Sequence, residues 1–242
     1  MMRIGFIREL TRFPVKSMAG VRTESAELGW HGLAGDRRFA FHRLGDNSEF
    51  PWLNASRFTG LIRYEPFGFD ESSSEPVPTH VRTPSGKKLE LGGEELREEI
   101  ERASGTRVEL MRLKNGFFDD APVSVISAIT IAAIGTAAQL DLDRRRFRAN
   151  ICLDTQTAKP FCEDAWVGGT LVFGDGDSAP AVRVTQRDVR CMMINLDPDT
   201  AVQDARVLKT VVRLNLNNAG VYGTVMRPGA LQVGQTVNLV LD

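Results

Sequence analysis

Residues 32–42 have the sequence Gly32-Leu33-Ala34-Gly35-Asp36-Arg37-Arg38-Phe39-Ala40-Phe41-His42, in which a glycine-rich turn leads directly into a short apolar strand. The same rhythm extends in both directions, because short apolar runs are separated by Gly, Pro or Asn about every ten residues. Strands with that spacing predict a barrel or a strongly bent sheet. We therefore predict a mostly β fold of the α+β class with a few short helices.

Three segments of the chain are predicted to be helical. Residues 94–103 carry several glutamates, and the acidic first turn suits the positive end of a helix dipole. Ser127 is a suitable N-cap for a second helix at residues 128–140, and a third, at residues 204–214, has its apolar side chains on one face. The sequence contains no internal repeat and shows no parallel β-α-β rhythm.

The composition excludes several classes of protein. Lys and Arg number 30 against 31 Asp and Glu in 242 residues, so the formal charge of −1 argues against a basic nucleic-acid binder. Three widely spaced cysteines do not form a disulfide framework. No segment reaches the ~18 consecutive apolar residues of a membrane span, and the N-terminus resembles a strand and not a signal peptide. We therefore expect a cytoplasmic protein with no membrane or nucleic-acid partner.

Cys191 is the candidate reactive thiol. It follows Arg190 directly, and a nearby guanidinium favours the thiolate, which attacks electrophiles or binds a metal. The alternative is a small buried apolar residue, which is the favoured interpretation for Cys152 and Cys162. No pair or cluster of Cys and His has the spacing of a zinc site.

Three basic segments are candidate anion sites, because guanidinium and ammonium groups donate several hydrogen bonds to a phosphate. The structural alternative is a solvated turn for residues 144–148 and a surface ion pair for residues 36–38. The segments are Arg144-Arg145-Arg146-Phe147-Arg148, Lys16-Ser17 and Asp36-Arg37-Arg38. A phosphorylated ligand held against a thiolate would use all of them together.

Six segments, in order along nearly the whole chain, resemble the motifs of one family. They are Phe13-Pro14-Val15-Lys16-Ser17, residues 32–39, Arg146-Phe147-Arg148-Ala149-Asn150-Ile151, Phe161-Cys162-Glu163-Asp164-Ala165-Trp166, Arg190-Cys191 with Leu196-Asp197-Pro198-Asp199-Thr200, and Gly223 with residues 229–237. The chain thus resembles MOSC-domain proteins (molybdenum cofactor sulfurase C-terminal domain). The resemblance implies an N-terminal β-barrel domain at residues 1–92, packed on a MOSC β-barrel at residues 93–242.

The resemblance also implies a cofactor and the residues that hold it. In relatives that reduce N-hydroxylated compounds, the cysteine at the position of Cys191 ligates molybdenum, which the molybdopterin cofactor carries on a dithiolene. Arg190 would add positive charge beside it and is placed with Cys191 in the catalytic set. The residues implied to hold the pterin and its phosphate are Lys16, Ser17, Arg37, Arg148 and Asn150.

The chain departs from the family pattern at several positions. Met192-Met193 follow Cys191 where the reductases have Thr-Thr, and Ala149 stands for the Pro of the Arg-Phe-Arg-Pro motif. Ala121 replaces a Ser before Pro, and Ala201 replaces a Gly.

Three functions are consistent with the sequence. The first is a molybdenum-dependent reductase of N-oxygenated small molecules, which requires an external electron-transfer protein with flavin, haem or iron–sulfur centres because the chain shows no motif for these groups. The second is a carrier that holds a persulfide or the cofactor on Cys191, without reductase activity. The third is a degenerate domain that only binds a partner protein.

Overall fold

The computed structural model describes residues 1–241 and confirms the expected mostly β, α+β class. The strands are β1 (Met2–Arg12), β2 (Val21–Thr23), β3 (Ser25–Gly29), β4 (Gly32–Leu33), β5 (Phe39–Arg43), β6 (Glu65–Phe69), β7 (Pro78–Arg82), β8 (Lys88–Glu90), β9 (Val108–Arg112), β10 (Val123–Ser127), β11 (Ile151–Thr155), β12 (Thr170–Phe173), β13 (Ala181–Val189), β14 (Asn218–Arg227), β15 (Gly229–Gln232) and β16 (Thr236–Val240). The helices are α1 (Glu94–Ser104), α2 (Ala128–Ala138) and α3 (Arg206–Asn215), with short 3₁₀ turns between them. Within the described range, no helix has the length and apolar character needed to cross a bilayer.

Seven strands close into a barrel in the order β11-β10-β14-β13-β12-β16-β1, and the pairing of β1 with β11 completes the ring. Ile4, Ile7 and Leu10 of β1 are buried in the barrel core, as the alternation of a strand with one buried face requires. Gly5 pairs with β11 on one side and β16 on the other. A Cβ at Gly5 would lie 2.0 Å from the Asp154 carbonyl oxygen, so glycine permits this close approach of two backbones.

One parallel pair lies inside the otherwise antiparallel barrel, and here the sequence-based expectation was wrong. β10 and β11 run parallel with Val125 opposite Ile151, and α2 connects them. All five residues of β10 are buried, which is typical of a strand covered on both faces. This crossover brings the basic turn at Arg144–Phe147 back to the end of β1.

A second hydrophobic cluster lies beside the barrel and consists of β5–β9, the β6–β7–β8 sheet and α1. Its buried side chains extend along the chain from Val15 to Val108. The boundary predicted at residue 92 stays a prediction, but contacts cross it in both directions. β1 belongs to the barrel, whereas α1 packs Leu96 and Ile100 into the second cluster.

Candidate functional site

The segment after β1 and the turn before β5 are bound side by side through their backbones. The Lys16 N–H donates to the Phe39 carbonyl at 2.7 Å, and the Arg37 N–H donates to the Phe13 carbonyl at 2.8 Å. Two of the basic segments found in the sequence are thereby brought together. Lys16 and Arg37 lie in one cluster, which we call the cationic cluster and which also contains Arg148.

Asp36 fixes the orientation of Arg37 from below the surface. The Asp36 side chain is fully buried, so the alternative of a surface ion pair is wrong. Its carboxylate accepts from the Phe13 N–H at 2.6 Å and from Arg37 Nη1 at 2.5 Å. Burial acts to lower the pKa of Arg37, but Asp36, Tyr222 and Asp119 together outweigh it and the net pKa is raised. Arg37 therefore keeps its charge in this enclosed position.

Asn150 connects Arg37 to the barrel. Its Oδ1 accepts from Arg37 Nη1 at 3.2 Å and from the backbone and hydroxyl of Ser124 at 3.2 and 3.1 Å. Its Nδ2 donates to the Thr11 carbonyl at 3.2 Å. Both ends of the amide are thus used within the protein, which gives Asn150 a structural role in holding Arg37.

Arg148 is the member of its basic segment that has no carboxylate partner within the described residues. The other three pair with acids: Arg144 with Glu9, Arg145 with Asp143 and Asp199, and Arg146 with Asp197. Arg148 instead donates to the Met18 carbonyl at 2.7 Å. Burial and the charge of Arg37 lower the pKa of Arg148 to about 10. A desolvated guanidinium with no direct ion-pair partner attracts an external anion strongly.

Phe13 supports both guanidinium groups on its ring. The Arg148 Cζ lies 4.3 Å from the ring centroid and the Arg37 Cζ lies 5.1 Å from it. A Cβ at Gly20 would lie 2.5 Å from the Phe13 ring, so the ring is fixed by close packing. The aromatic residue of the Phe13-Pro14-Val15-Lys16-Ser17 motif thereby sets the separation of two cations, a role the sequence did not indicate.

Lys16 completes the cationic cluster. Its ammonium lies 2.6 Å from Asp119 Oδ1 and 3.4 Å from the Phe117 carbonyl. Burial lowers the pKa of Lys16, Asp119 opposes that shift, and Arg37 and Arg148 reinforce it. Asp119 was missed by the sequence analysis, because it lies about a hundred residues from Lys16 and carries no motif of its own.

Three residues of the predicted anchor set adopt left-handed backbone conformations. The φ angles are 64° at Ser17, 49° at Arg37 and 51° at Arg148. Such angles are uncommon outside glycine and cluster at ligand sites, where the surrounding structure imposes them. Ser17 is buried, and its hydroxyl has no hydrogen-bond partner among residues 1–241.

Cys191 begins a short 3₁₀ turn and is exposed, unlike Cys152, which is buried. All three cysteines are free thiols. Burial raises the pKa of Cys152 to about 12, and burial and Glu163 raise the pKa of Cys162. Cys191 lies within electrostatic range of Arg148, which ties the thiol to the cationic cluster.

Arg190 is placed differently from the expectation that it adds free charge beside Cys191. Its guanidinium is buried and donates to the carbonyls of Ala219 and Phe147 at 2.6 and 2.7 Å. Its Nη2 faces Asp188 Oδ2 at 2.8 Å, so its charge is matched by a carboxylate. These contacts anchor the backbone immediately before Cys191.

A cleft of about 820 Å³ borders the cationic cluster. Phe13 and Arg148 line it, together with apolar side chains such as Ile62 and Met193. Lys16, Arg37 and Cys191 are not among its lining residues. The described cleft therefore does not include the thiol.

Comparison with known structures supports the architecture. The YUAD protein from Bacillus subtilis has 13% sequence identity to this chain. The match covers 98% of this chain and 95% of the YUAD chain, with a TM-score of 0.51. YiiM from Geobacillus stearothermophilus has 17% identity over 49% of this chain and 54% of its own, with a TM-score of 0.35. At 13% identity the likeness to the YUAD protein shows the fold alone. No curated protein matches the chain significantly.

Sequence profiles of two domains match in the order of the motifs. The MOSC N-terminal beta barrel domain matches residues 4–47, and the MOSC domain matches residues 112–238. The second match covers more than half of the chain and spans the barrel strands from β10 to β16 as well as Arg148 and Cys191. Because the MOSC model matches more than half of the chain and the MOSC N-terminal model matches the segment before it, the chain belongs to the MOSC-domain family.

Proposed function

We propose that this MOSC protein binds the molybdenum cofactor and reduces N-oxygenated or N-hydroxylated small molecules with electrons from a separate protein. The observation that carries the proposal is the convergence of Lys16, Arg37 and Arg148 in one cluster, in which Arg148 lies within electrostatic range of Cys191. Within residues 1–241, these three cations form ion pairs with only two carboxylates, those of Asp36 and Asp119. This leaves a net positive charge in a largely desolvated place, which an external anion would balance.

The donor set fits a phosphate-bearing cofactor that brings its own metal ligands. Residues 1–241 contain no group of three or more His, Cys, Asp and Glu side chains that could hold a metal ion unaided. They do offer three cationic side chains, the unpartnered Ser17 hydroxyl and one exposed thiol. A soft thiolate suits a metal already bound to sulfur.

Each residue would have a distinct part in holding the cofactor. Lys16, Arg37 and Arg148 would bind the phosphate, and the Ser17 hydroxyl would donate a further hydrogen bond to it. Cys191 would ligate molybdenum, and Arg190 would position the Cys191 backbone through its bonds to Ala219 and Phe147. When bound, the cofactor supplies two-electron chemistry, so that cleavage of one N–O bond uses two electrons and two protons and releases one water.

The electrons are proposed to come from an external electron-transfer protein with a flavin, haem or iron–sulfur centre. The chain shows no sequence motif for any of these groups. In the assay below, a chemically reduced viologen replaces this partner.

The test is to produce the protein in cells that synthesise the cofactor and to measure molybdenum by elemental analysis. We expect metal in the wild type and in Cys162→Ala, and loss of most metal in Cys191→Ala. Arg148→Ala should lose cofactor, whereas Arg145→Ala should retain it, because Arg145 is an exposed residue paired with Asp143 and Asp199. A wild type without molybdenum would overturn the proposal, as would a loaded protein that fails to reduce benzamidoxime.

The exposure of Cys191 favours a second candidate function, which is sulfur or cofactor transfer without reduction. A persulfide must be reachable by the acceptor molecule, and an exposed thiol meets that need. The distinguishing result is cyanolysable sulfur on Cys191 in protein that lacks molybdenum and does not reduce benzamidoxime.

A further inference from the structure

Residues 113–120, in the segment between β9 and β10, cross the cationic cluster, and we call them the strap. The Leu113 N–H donates to the Arg38 carbonyl at 2.9 Å, and the Phe117 N–H donates to the Arg37 carbonyl at 2.8 Å. The Phe117 ring is buried and packs edge-on against Trp52, with 4.6 Å between centroids. The strap is thus fixed two residues before Asp119.

Asp119 pairs directly with Lys16 and lies within electrostatic range of Arg37 and Arg148. The two side chains of this ion pair differ in exposure: Lys16 is 7% exposed and Asp119 is 61% exposed. Burial acts to raise the pKa of Asp119, but the charges of Lys16, Arg37 and Arg148 lower it overall. An intramolecular anion therefore already takes the position that suits the phosphate of a ligand.

We propose that Asp119 is a specificity-determining residue of the cationic cluster: its carboxylate occupies the anion position, and a phosphate dianion displaces it whereas a monoanion does not. This inference rests on the proposed function, because it takes the ligand of the cluster to be a phosphate monoester. Asp119 carries the selection, since its side chain is 61% exposed and can turn into water when a ligand displaces it.

Charge and geometry give the reason for this selection. A monoanion that replaced Asp119 would exchange one negative charge for another, and it would compete with a group whose effective concentration is in the millimolar range or above. A phosphate dianion adds a second charge and three acceptor oxygens, which can bridge more than one of the cations. Only the dianion therefore gains from the exchange.

The experiment compares phenyl phosphate and benzoate, two anions that each carry one phenyl ring, by isothermal titration calorimetry at pH 8 and low ionic strength. The proteins are wild type, Asp119→Asn, Asp119→Glu and the matched control Asp120→Asn. Asp120 is the exposed neighbour and makes no ion pair within the described part of the chain.

We expect the wild type and Asp120→Asn to bind phenyl phosphate and not benzoate. Asp119→Asn should bind benzoate measurably and phenyl phosphate about two- to fivefold more tightly, which is the range of an exposed ion pair. Asp119→Glu should restore the rejection of benzoate. Because Asp119 is exposed, these variants are expected to fold, and the thermal midpoint of each is checked.

Two outcomes overturn the proposal, and they can be told apart. In the first, the wild type binds phenyl phosphate but Asp119→Asn still does not bind benzoate. This result refutes the role of Asp119 and leaves the phosphate site in place. Failure of every variant to bind phenyl phosphate removes the phosphate site, and with it both the role of Asp119 and the basis of the proposed function.

Discussion

Asp188 Oδ2 lies 2.8 Å from Arg190 Nη2, and both side chains are almost completely buried. The two atoms are not aligned as a hydrogen bond, and neither atom has another partner within residues 1–241. Burial raises the pKa of Asp188 to about 6, although Arg190 opposes the shift. Asp188, three residues before Cys191, therefore titrates close to neutral pH.

The first prediction concerns stability against pH. The pKa of Asp188 rises from an ordinary value of 3.8 to about 6 on folding, so the folded protein holds the proton more tightly. The contribution of Asp188 to stability is therefore present below pH ~4 and is lost as the pH rises to about 6. The loss amounts to about 3 kcal/mol in the free energy of unfolding. Urea unfolding curves taken between pH ~4 and about 6 should show this loss in the wild type and not in Asp188→Asn. Equal pH slopes for the two proteins would contradict the prediction.

The second prediction concerns Glu163, which is fully buried between β10 and the start of α2. Its carboxylate accepts from Ser127 Oγ at 2.8 Å and from Thr130 Oγ1 at 3.0 Å. Glu163→Ala leaves these hydroxyls without their acceptor and should lower the free energy of unfolding by about 3 kcal/mol. Burial raises the pKa of Glu163, so its charged form is disfavoured in this place. Glu163→Gln removes that charge but keeps an acceptor oxygen. We therefore expect a smaller loss for Gln than for Ala in denaturant titrations, and the reverse order would refute the assignment.

The third prediction separates the structural role of Asn150 from ligand binding. Asn150→Ala removes the partner of Arg37, the Ser124 backbone and the Thr11 carbonyl, all in a buried place. The free energy of unfolding should fall by about 3 kcal/mol without any ligand present. The exposed Asn47→Ala serves as the control and should change stability by less than about 0.5 kcal/mol. Wild-type stability in Asn150→Ala would show that the amide acts on a ligand only.

The fourth prediction ranks the three thiols by their reactivity. Iodoacetamide at pH 7.5 should modify the exposed Cys191 first and Cys162 more slowly, because burial and Glu163 raise the pKa of Cys162. Cys152 is buried with a pKa of about 12 and should react only in urea. Peptide mass spectrometry over time gives the order directly. Early labelling of Cys152 in the native protein would contradict the barrel packing.

The fifth prediction uses the contact between Gly20 and Phe13. An alanine methyl at Gly20 would lie 2.5 Å from the Phe13 ring and would push it against the two guanidinium groups. Gly20→Ala should cost about 1–3 kcal/mol of stability and weaken phenyl phosphate binding. Gly92→Ala is the matched control, because a Cβ there meets nothing within 4 Å. Unaltered phenyl phosphate affinity in Gly20→Ala would show that the ring does not position the cations.

Local signals in the sequence predicted much of the secondary structure. The helix after Ser127 begins where expected, and the Ser127 hydroxyl accepts from the Thr130 N–H as an N-cap does. The helix at Glu94 ends at Gly105, whose φ of 68° needs the conformational freedom of glycine. Such signals act over a few residues, which is why they are visible in the chain alone.

The longest missed element is β14, the ten-residue strand from Asn218 to Arg227. Gly220 and Gly223 lie within this strand, and the barrel uses them for close approach of neighbouring strands. A Cβ at Gly220 would lie 2.8 Å from the Val125 carbonyl, and one at Gly223 would lie 2.6 Å from the Arg183 carbonyl. The sequence does not reveal that the two glycines face neighbouring backbones.

The site was predicted for residues in motifs and missed for residues that act through tertiary contact. Lys16 and Arg37 were both identified in the sequence, and the structure places them side by side. Asp119 carries no local pattern, because its role comes from cations that the fold delivers from distant parts of the chain. Charge complementarity between distant segments is a property of the folded chain.

The position of β1 between β11 and β16 has a consequence for the order of folding. The second strand neighbouring β1 lies more than 200 residues downstream, so the ring stays open until Thr236–Val240 has been synthesised. Until then, one side of β1 is an unpaired strand edge that other chains can join. Long-range closure of this kind is slow compared with the formation of hairpins such as β7–β8. Removing β16 is therefore expected to cause aggregation of the nascent protein, even though every residue of the cationic cluster remains in the chain.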